Sequence, residues 1–135
     1  YVIPPDIEAR GEDERQEFIR QMETMHTWYC RWQEKLGGAK ESANEDARFV
    51  LPNAAATRLV VTMNARELMH FFSLRCCNRA QWEIREMAWQ TPALCKQAAP
   101  ALFEHAGPAC VSGACPEGKN TCGKATEVRE KAGNL

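Results

Sequence analysis

The residues with most chemical potential here are arginines and their polar neighbours. Arg66, His70 and Ser73 follow one another at spacings of four and three, so on a helix they share one face. Arg75 and Arg79 come next, and Arg48 lies upstream. A guanidinium is permanently charged and can donate two parallel hydrogen bonds, which suits a phosphate or carboxylate. Asn64 stands where this helix would start, and the free backbone N–H groups of a helix start favour the same ligands. The set predicts a site for a small anion. A plainer reading stays open beside it: a solvated polar face whose arginines make exposed ion pairs to Glu67, Glu83 or Glu86. His70 likewise fits a satisfied, partly buried histidine as well as a functional one. Cys76 and Cys77 lie between Arg75 and Arg79, and nearby cations can activate a thiol. Cysteine is also a common small core residue, and no histidine base is placed near them by the sequence, so packing is their default role.

The elements that must position these residues are legible from periodicity and end signals. Phe18, Met22, Met25, Tyr29, Trp32 and Leu36 recur at alternating spacings of four and three, which predicts a helix over 12–36 with one apolar stripe. Glu12, Asp13 and Glu14 suit its positive end, and Gly37-Gly38 can end it in the left-handed conformation. A short helix is expected over Glu41–Val50. The run "TRLVVTMN", residues 57–64, is rich in β-branched residues and alternates, which predicts a strand. Asn64 then reads as an N-cap, with Glu67 three residues on, for a helix reaching about Arg75. A further helix is expected from about Ala80 to Lys96, passing Pro92 with a kink, and a turn of helix over 101–105. From Gly107 the chain reads as loop, with its last dozen residues disordered.

The expected fold class is therefore α+β: a helix-rich fragment with one clear strand. A single strand makes no sheet, so this one would pair with strands upstream or in another subunit. The chain opens on Tyr1, not Met, and "YVIPPD" reads like mid-chain, which also predicts sequence upstream. The 135 residues allow one modest core. A formal net charge of -1 gives no bulk electrostatic case for nucleic acid or an anionic membrane. No apolar run approaches the ~20 residues of a membrane span, and no signal peptide is visible. A cytoplasmic location follows as the expectation, with the seven cysteines in a reducing compartment.

The stretch "RFVLPNAAATRLVVTMNARELMHFFSLRCCNRAQWEIREMA", from Arg48 to Ala88, closely resembles the C-terminal half of the flavin-dependent thymidylate synthases. The matching elements are an Arg before "LP", "T-x-N-A-R" entering a helix, "L-R" near its end, and "A-Q-W-E-I". The preceding helix and the "CPEGKNTCG" tail also look like bacterial members. The resemblance implies methylation of dUMP to dTMP with methylenetetrahydrofolate, FAD-mediated hydride transfer and NADPH as reductant. It implies dUMP contacts at Arg48, Leu74 and Arg75, with Arg75 helping to polarise the pyrimidine. It implies FAD contacts at Asn64, Arg66 and His70. No protein nucleophile is implied, so the protein's work would be orientation, polarisation and water exclusion. A homotetramer with sites between subunits is implied as well.

This sequence departs from the family pattern in one respect. The family's Arg-His-Arg motif, followed by a serine, does not occur in it. The expectation is a family domain portion over 1–106, a Cys/Gly-rich tail over 107–135, and no synthase activity from the 135 residues alone. In the tail, His105, Cys110, Cys115 and Cys122 could together bind zinc, but they lack a tight C-x-x-C pair, so no metal is assigned; a disulfide or free thiols are the other readings. The competing functional classes are a non-catalytic helical interaction module, built on the Phe18–Leu36 stripe, and a degenerate paralogue that binds nucleotide without turnover.

Overall fold

A computed structural model describes residues 1–135, which fold into two compact units, Tyr1–Val60 and Val61–Leu135. In the first, α1 (Pro5–Glu8) and α2 (Glu12–Lys35) lead to α3 (Glu41–Ala47), which runs on into a 3-10 turn over Arg48–Val50. The α2 end follows the glycine logic. Gly37 N–H bonds Glu34 O and Gly38 N–H bonds Gln33 O, with φ of 102° and 87° at the two glycines. That pair of bonds is a Schellman cap, and only glycine enters it without a Cβ penalty. The small residues Ala43 and Ala47 are buried, as is Met22 on α2. Gln33 on α2 donates to the Asn44 side chain on α3. The rest of the α2 stripe is only partly covered: Trp32 and Leu36 remain exposed.

The second unit holds α4 (Ala65–Arg75), α5 (Trp82–Ala98), α6 (Pro100–Phe103) and α7 (Ala125–Gly133), with 3-10 turns at Ala109–Val111 and Gly118–Asn120. Its core gathers Phe72, Cys76, Ala88, Trp89, Phe103, Ala106, Cys110, Val128 and Ala132. Phe72 is fully buried and meets Phe103 edge-on at 6.3 Å between ring centroids. Gln81 caps α5, its side chain accepting from the N–H groups of Glu83 and Ile84 at 3.0 and 3.1 Å. Pro92 sits inside α5 without ending it. Its missing N–H leaves the carbonyl of Ala88, four residues back, without a helical donor, and the Cys76 thiol donates to that oxygen at 3.2 Å.

The expected α+β class is corrected: the fold is all-helical, with no strand. Residues 57–64, read as a strand from their alternation, are irregular, and Leu59 and Val60 are 73 % and 100 % exposed. β-Propensity reports how a side chain suits a pleated, half-buried surface. It does not create the neighbouring backbone that a ladder requires, and these 135 residues offer this run none. The segment from Gly107, read as loop, carries α7, whose Val128 and Ala132 are core residues. No helix is long and apolar enough to cross a membrane.

Candidate functional site

Helix α4 sets the geometry. Asn64 caps it as its position suggests: backbone φ and ψ are extended, and its side-chain oxygen accepts from Glu67 N–H at 2.9 Å. The N–H groups of the first helical residues, Ala65 and Arg66, have no intrahelical acceptor. Arg66 and His70 are both exposed, one turn apart, while Phe72 on the other side is buried. Ser73 donates its hydroxyl to His70 O at 2.7 Å, so its oxygen points back along this same face. Arg66 and His70 thus form a polar, solvent-facing stripe one turn long, with the Asn64 cap at the helix start.

The other end of α4 opens on a cleft of about 260 Å³. Ser73, Leu74, Arg75, Cys77, Arg79 and Ala80 form one wall; Pro108–Cys110 and Cys115–Glu117 form the other. Leu74 is 51 % exposed there. A cation in the last turn of a helix is favoured by the helix dipole, which helps hold Arg75. The Arg85 guanidinium donates to Asn78 O at 2.8 Å and braces the turn that carries Cys77 and Arg79. The tail wall is braced in turn by Arg129, which donates to Cys110 O and to Gly113 O, both at 2.8 Å.

The ion pairs of the plainer reading are not formed. The pairs present are Arg15 with Glu8 and Glu12, His105 with Glu104, and Lys124 with Glu127. Arg48, Arg66, Arg75 and Arg79 are exposed and make no ion pair, with Glu117 the one carboxylate lining the cleft of Arg75 and Arg79. Arg48 belongs to the first unit, in the 3-10 turn after α3, and is exposed. The structure thus brings Leu74 and Arg75 together with Arg79 on one cleft, and places Asn64 at the start of the same helix with Arg66 and His70 one turn apart on its exposed face.

The cysteines separate by environment. Cys76 is fully buried, and that burial pushes its thiol up to about 12. Burial also raises Cys95 and Cys110, and for Cys110 the nearby Cys115, Cys77 and Cys122 add to the effect. These upward shifts suit packing rather than nucleophilic chemistry for Cys76, Cys95 and Cys110. No three His, Cys, Asp or Glu side chains are grouped to hold a metal ion, so His105, Cys110, Cys115 and Cys122 are not assembled as one centre. The tail wall of the cleft is the part that residue spacing did not reveal. Its signal was Gly107-Pro108: Gly107 is buried at φ 154°, where an added Cβ would meet Val111 Cγ2 at 2.9 Å, marking a tightly specified turn.

Residues 1–101 match the family described as Thymidylate synthase complementing protein. The chain belongs to this family. Among similar proteins, the flavin-dependent thymidylate synthase of Geobacter sulfurreducens is 66 % identical over 85 residues, covering 63 % of this chain and 37 % of that protein. That of Clostridium tetani is 45 % identical over 141 residues, covering 96 % and 56 %. That of Nitratidesulfovibrio vulgaris is 50 % identical over 129 residues, covering 92 % and 52 %. The chain therefore spans about half the length, or less, of these thymidylate synthases. The family match ends before the tail wall begins, whereas the Clostridium match takes in nearly the whole chain.

Proposed function

We propose that this chain supplies part of the dUMP and FAD sites of a flavin-dependent thymidylate synthase, which methylates dUMP to dTMP with methylenetetrahydrofolate as carbon donor and NADPH as reductant. The observation that carries the reading is the cleft at the end of α4, where Leu74 lies beside two guanidinium groups, Arg75 and Arg79, that have no acidic partner. Unpaired cations on a concave surface attract anions and are not already satisfied by the protein. Leu74 offers an apolar edge to the uracil ring. Arg75 holds the nucleotide and polarises the pyrimidine by donating to it, and it is the catalytic residue of this reading. Arg48 is the further dUMP contact.

The start of α4 fits the flavin cofactor. The exposed Arg66, beside two free helix-start N–H groups, offers charge and donors to the flavin ring of the cofactor. His70, one turn on from Arg66, and the Asn64 cap add hydrogen-bonding groups along α4. FAD, when bound, supplies hydride chemistry that no side chain of this stripe possesses. What these residues do is bind, orient and polarise. The cleft's 260 Å³ falls below the usual ~300–1,000 Å³ of small-molecule sites. That supports a site completed by other surfaces, as in a homotetramer with shared sites.

The test is equilibrium dialysis of dUMP and visible absorbance after loading with FAD. The reading expects a yellow protein and dUMP binding that Arg75→Ala weakens roughly 10- to 100-fold with unchanged circular dichroism. A colourless protein whose dUMP retention is the same with and without Arg75 would refute it. A helical interaction module is the second reading, favoured by the exposed Trp28 and Trp32 on α2 and Leu36 at its C-cap; it predicts neither ligand.

A further inference from the structure

We propose that Cys77 and Cys115 form a redox-responsive dithiol on the Arg75 cleft, and that joining them as a disulfide closes the cleft to anions. This rests on the nucleotide reading above and adds regulation to it. Of the seven cysteines, three line this one cleft: Cys77 on the α4 side, Cys110 and Cys115 on the tail side. Cys110 is buried at 8 % exposure and belongs to the core. Cys76, next to Cys77, is fully buried with its S–H given to Ala88 O. Cys77 and Cys115 remain, each half-buried, on opposite walls.

The two walls differ in how they are held. Cys77 lies in a turn closed by Ala80 N–H to Cys77 O at 2.9 Å. On the tail, Arg129 anchors the chain as far as Gly113. Beyond Gly113 the tail passes through Cys115 into a turn over Pro116–Glu117 and the 3-10 turn at Gly118–Asn120. The anchored stem keeps Cys115 at the cleft, and joining it to Cys77 draws the Cys115 turn toward the α4 side. A disulfide holds two Cβ atoms at about 3.5–4.5 Å, which leaves no room for a phosphate between these walls.

The chemistry balances with a small disulfide oxidant of the glutathione type. One cysteine thiolate attacks a sulfur of the oxidant, breaking its S–S bond and releasing one thiol. The second cysteine attacks the mixed disulfide, forming the protein S–S bond and releasing the second thiol. Two protein thiols are oxidised and the oxidant is reduced to two thiols. The Arg75 and Arg79 charges favour approach of an anionic oxidant.

The test uses the full chain, first reduced, then equilibrated with oxidised glutathione, with peptide mapping by mass spectrometry and dUMP titration of both forms. The expected result is a Cys77–Cys115 linked peptide, dUMP affinity at least about tenfold weaker when oxidised, and recovery on reduction. Cys115→Ser should give glutathione on Cys77 and no internal bridge there. Thiols that stay free, a bridge through other cysteines, or a mapped Cys77–Cys115 bridge that leaves dUMP affinity unchanged would each overturn the proposal. A reduced protein that binds no dUMP would instead overturn the nucleotide reading and the closure with it, while the mapping still decides the dithiol.

Discussion

Replacing Cys76 by alanine, with and without Pro92, measures how helix α5 tolerates a buried proline. Pro92 is fully buried inside α5, and its missing N–H orphans Ala88 O. The Cys76 thiol, 3.2 Å away and fully buried, is the donor that oxygen finds. Leaving a buried carbonyl unpaired costs about 1–3 kcal/mol. A thiol is a weak donor, so the lower end applies. Cys76→Ala in the natural background therefore loses about 1 kcal/mol through the orphaned oxygen, plus the packing of the sulfur. In a Pro92→Ala background the residue-92 N–H can bond Ala88 O, and the same substitution loses only the packing. The double-mutant cycle cancels the packing and leaves a coupling of about 1 kcal/mol. Urea unfolding of the four proteins, followed by circular dichroism, reads it. A coupling under about 0.3 kcal/mol would mean that the sulfur merely fills space and that the proposed compensation is wrong.

Other expectations follow from single side chains. Asn64→Ala should cost about 1 kcal/mol of stability by removing the cap on Glu67 N–H; Asn64→Asp should keep the cap in thermal melts yet weaken FAD retention, because it adds negative charge at the anion-facing helix start. Gly107→Ala should destabilise by at least about 1 kcal/mol, since φ is 154° and the new Cβ would meet Val111 Cγ2 at 2.9 Å; an unchanged melting temperature would show that this turn relaxes. Stability should also fall at alkaline pH. The Cys76 thiol stays protonated to about 12 when folded, while an unfolded thiol ionises near 9.0. The unfolded state then holds fewer protons between those values, so unfolding free energy decreases as pH rises through that window. The decrease should be shallower in Cys76→Ala, and equal slopes would contradict the assignment.

Local signals carried far in this chain, and they failed where distant partners decide. The Asn64 cap, the Arg75 end of α4 and the glycine cap at Gly37-Gly38 are contacts within a few residues, so their chemistry is written in adjacent positions. The run at 57–64 has true strand preferences, but preference without a neighbouring ladder leaves it irregular. Helix α7 was hidden because its apolar positions, Ala125, Val128 and Ala132, are few and small. Its place is set by packing on Trp89 and Cys110 in the core, not by its own periodicity. The arginine face was visible as a pattern, yet spacing could not say whether acidic neighbours neutralise it. Only the side-chain positions show that Glu67, Glu83 and Glu86 do not. The tail wall opposite Arg75 needed the fold as well, because residues 108–117 are more than thirty positions away in sequence.

Arg75 is proposed to hold dUMP through its phosphate as well as to polarise the pyrimidine. The direct measurement is calorimetric titration of dUMP and of deoxyuridine, which lacks that phosphate, into the natural protein and into Arg75→Ala. dUMP is expected to bind the natural protein more tightly than deoxyuridine, and Arg75→Ala is expected to remove most of that difference. Equal affinity for the two ligands in the natural protein, or a difference that survives the substitution intact, would contradict it.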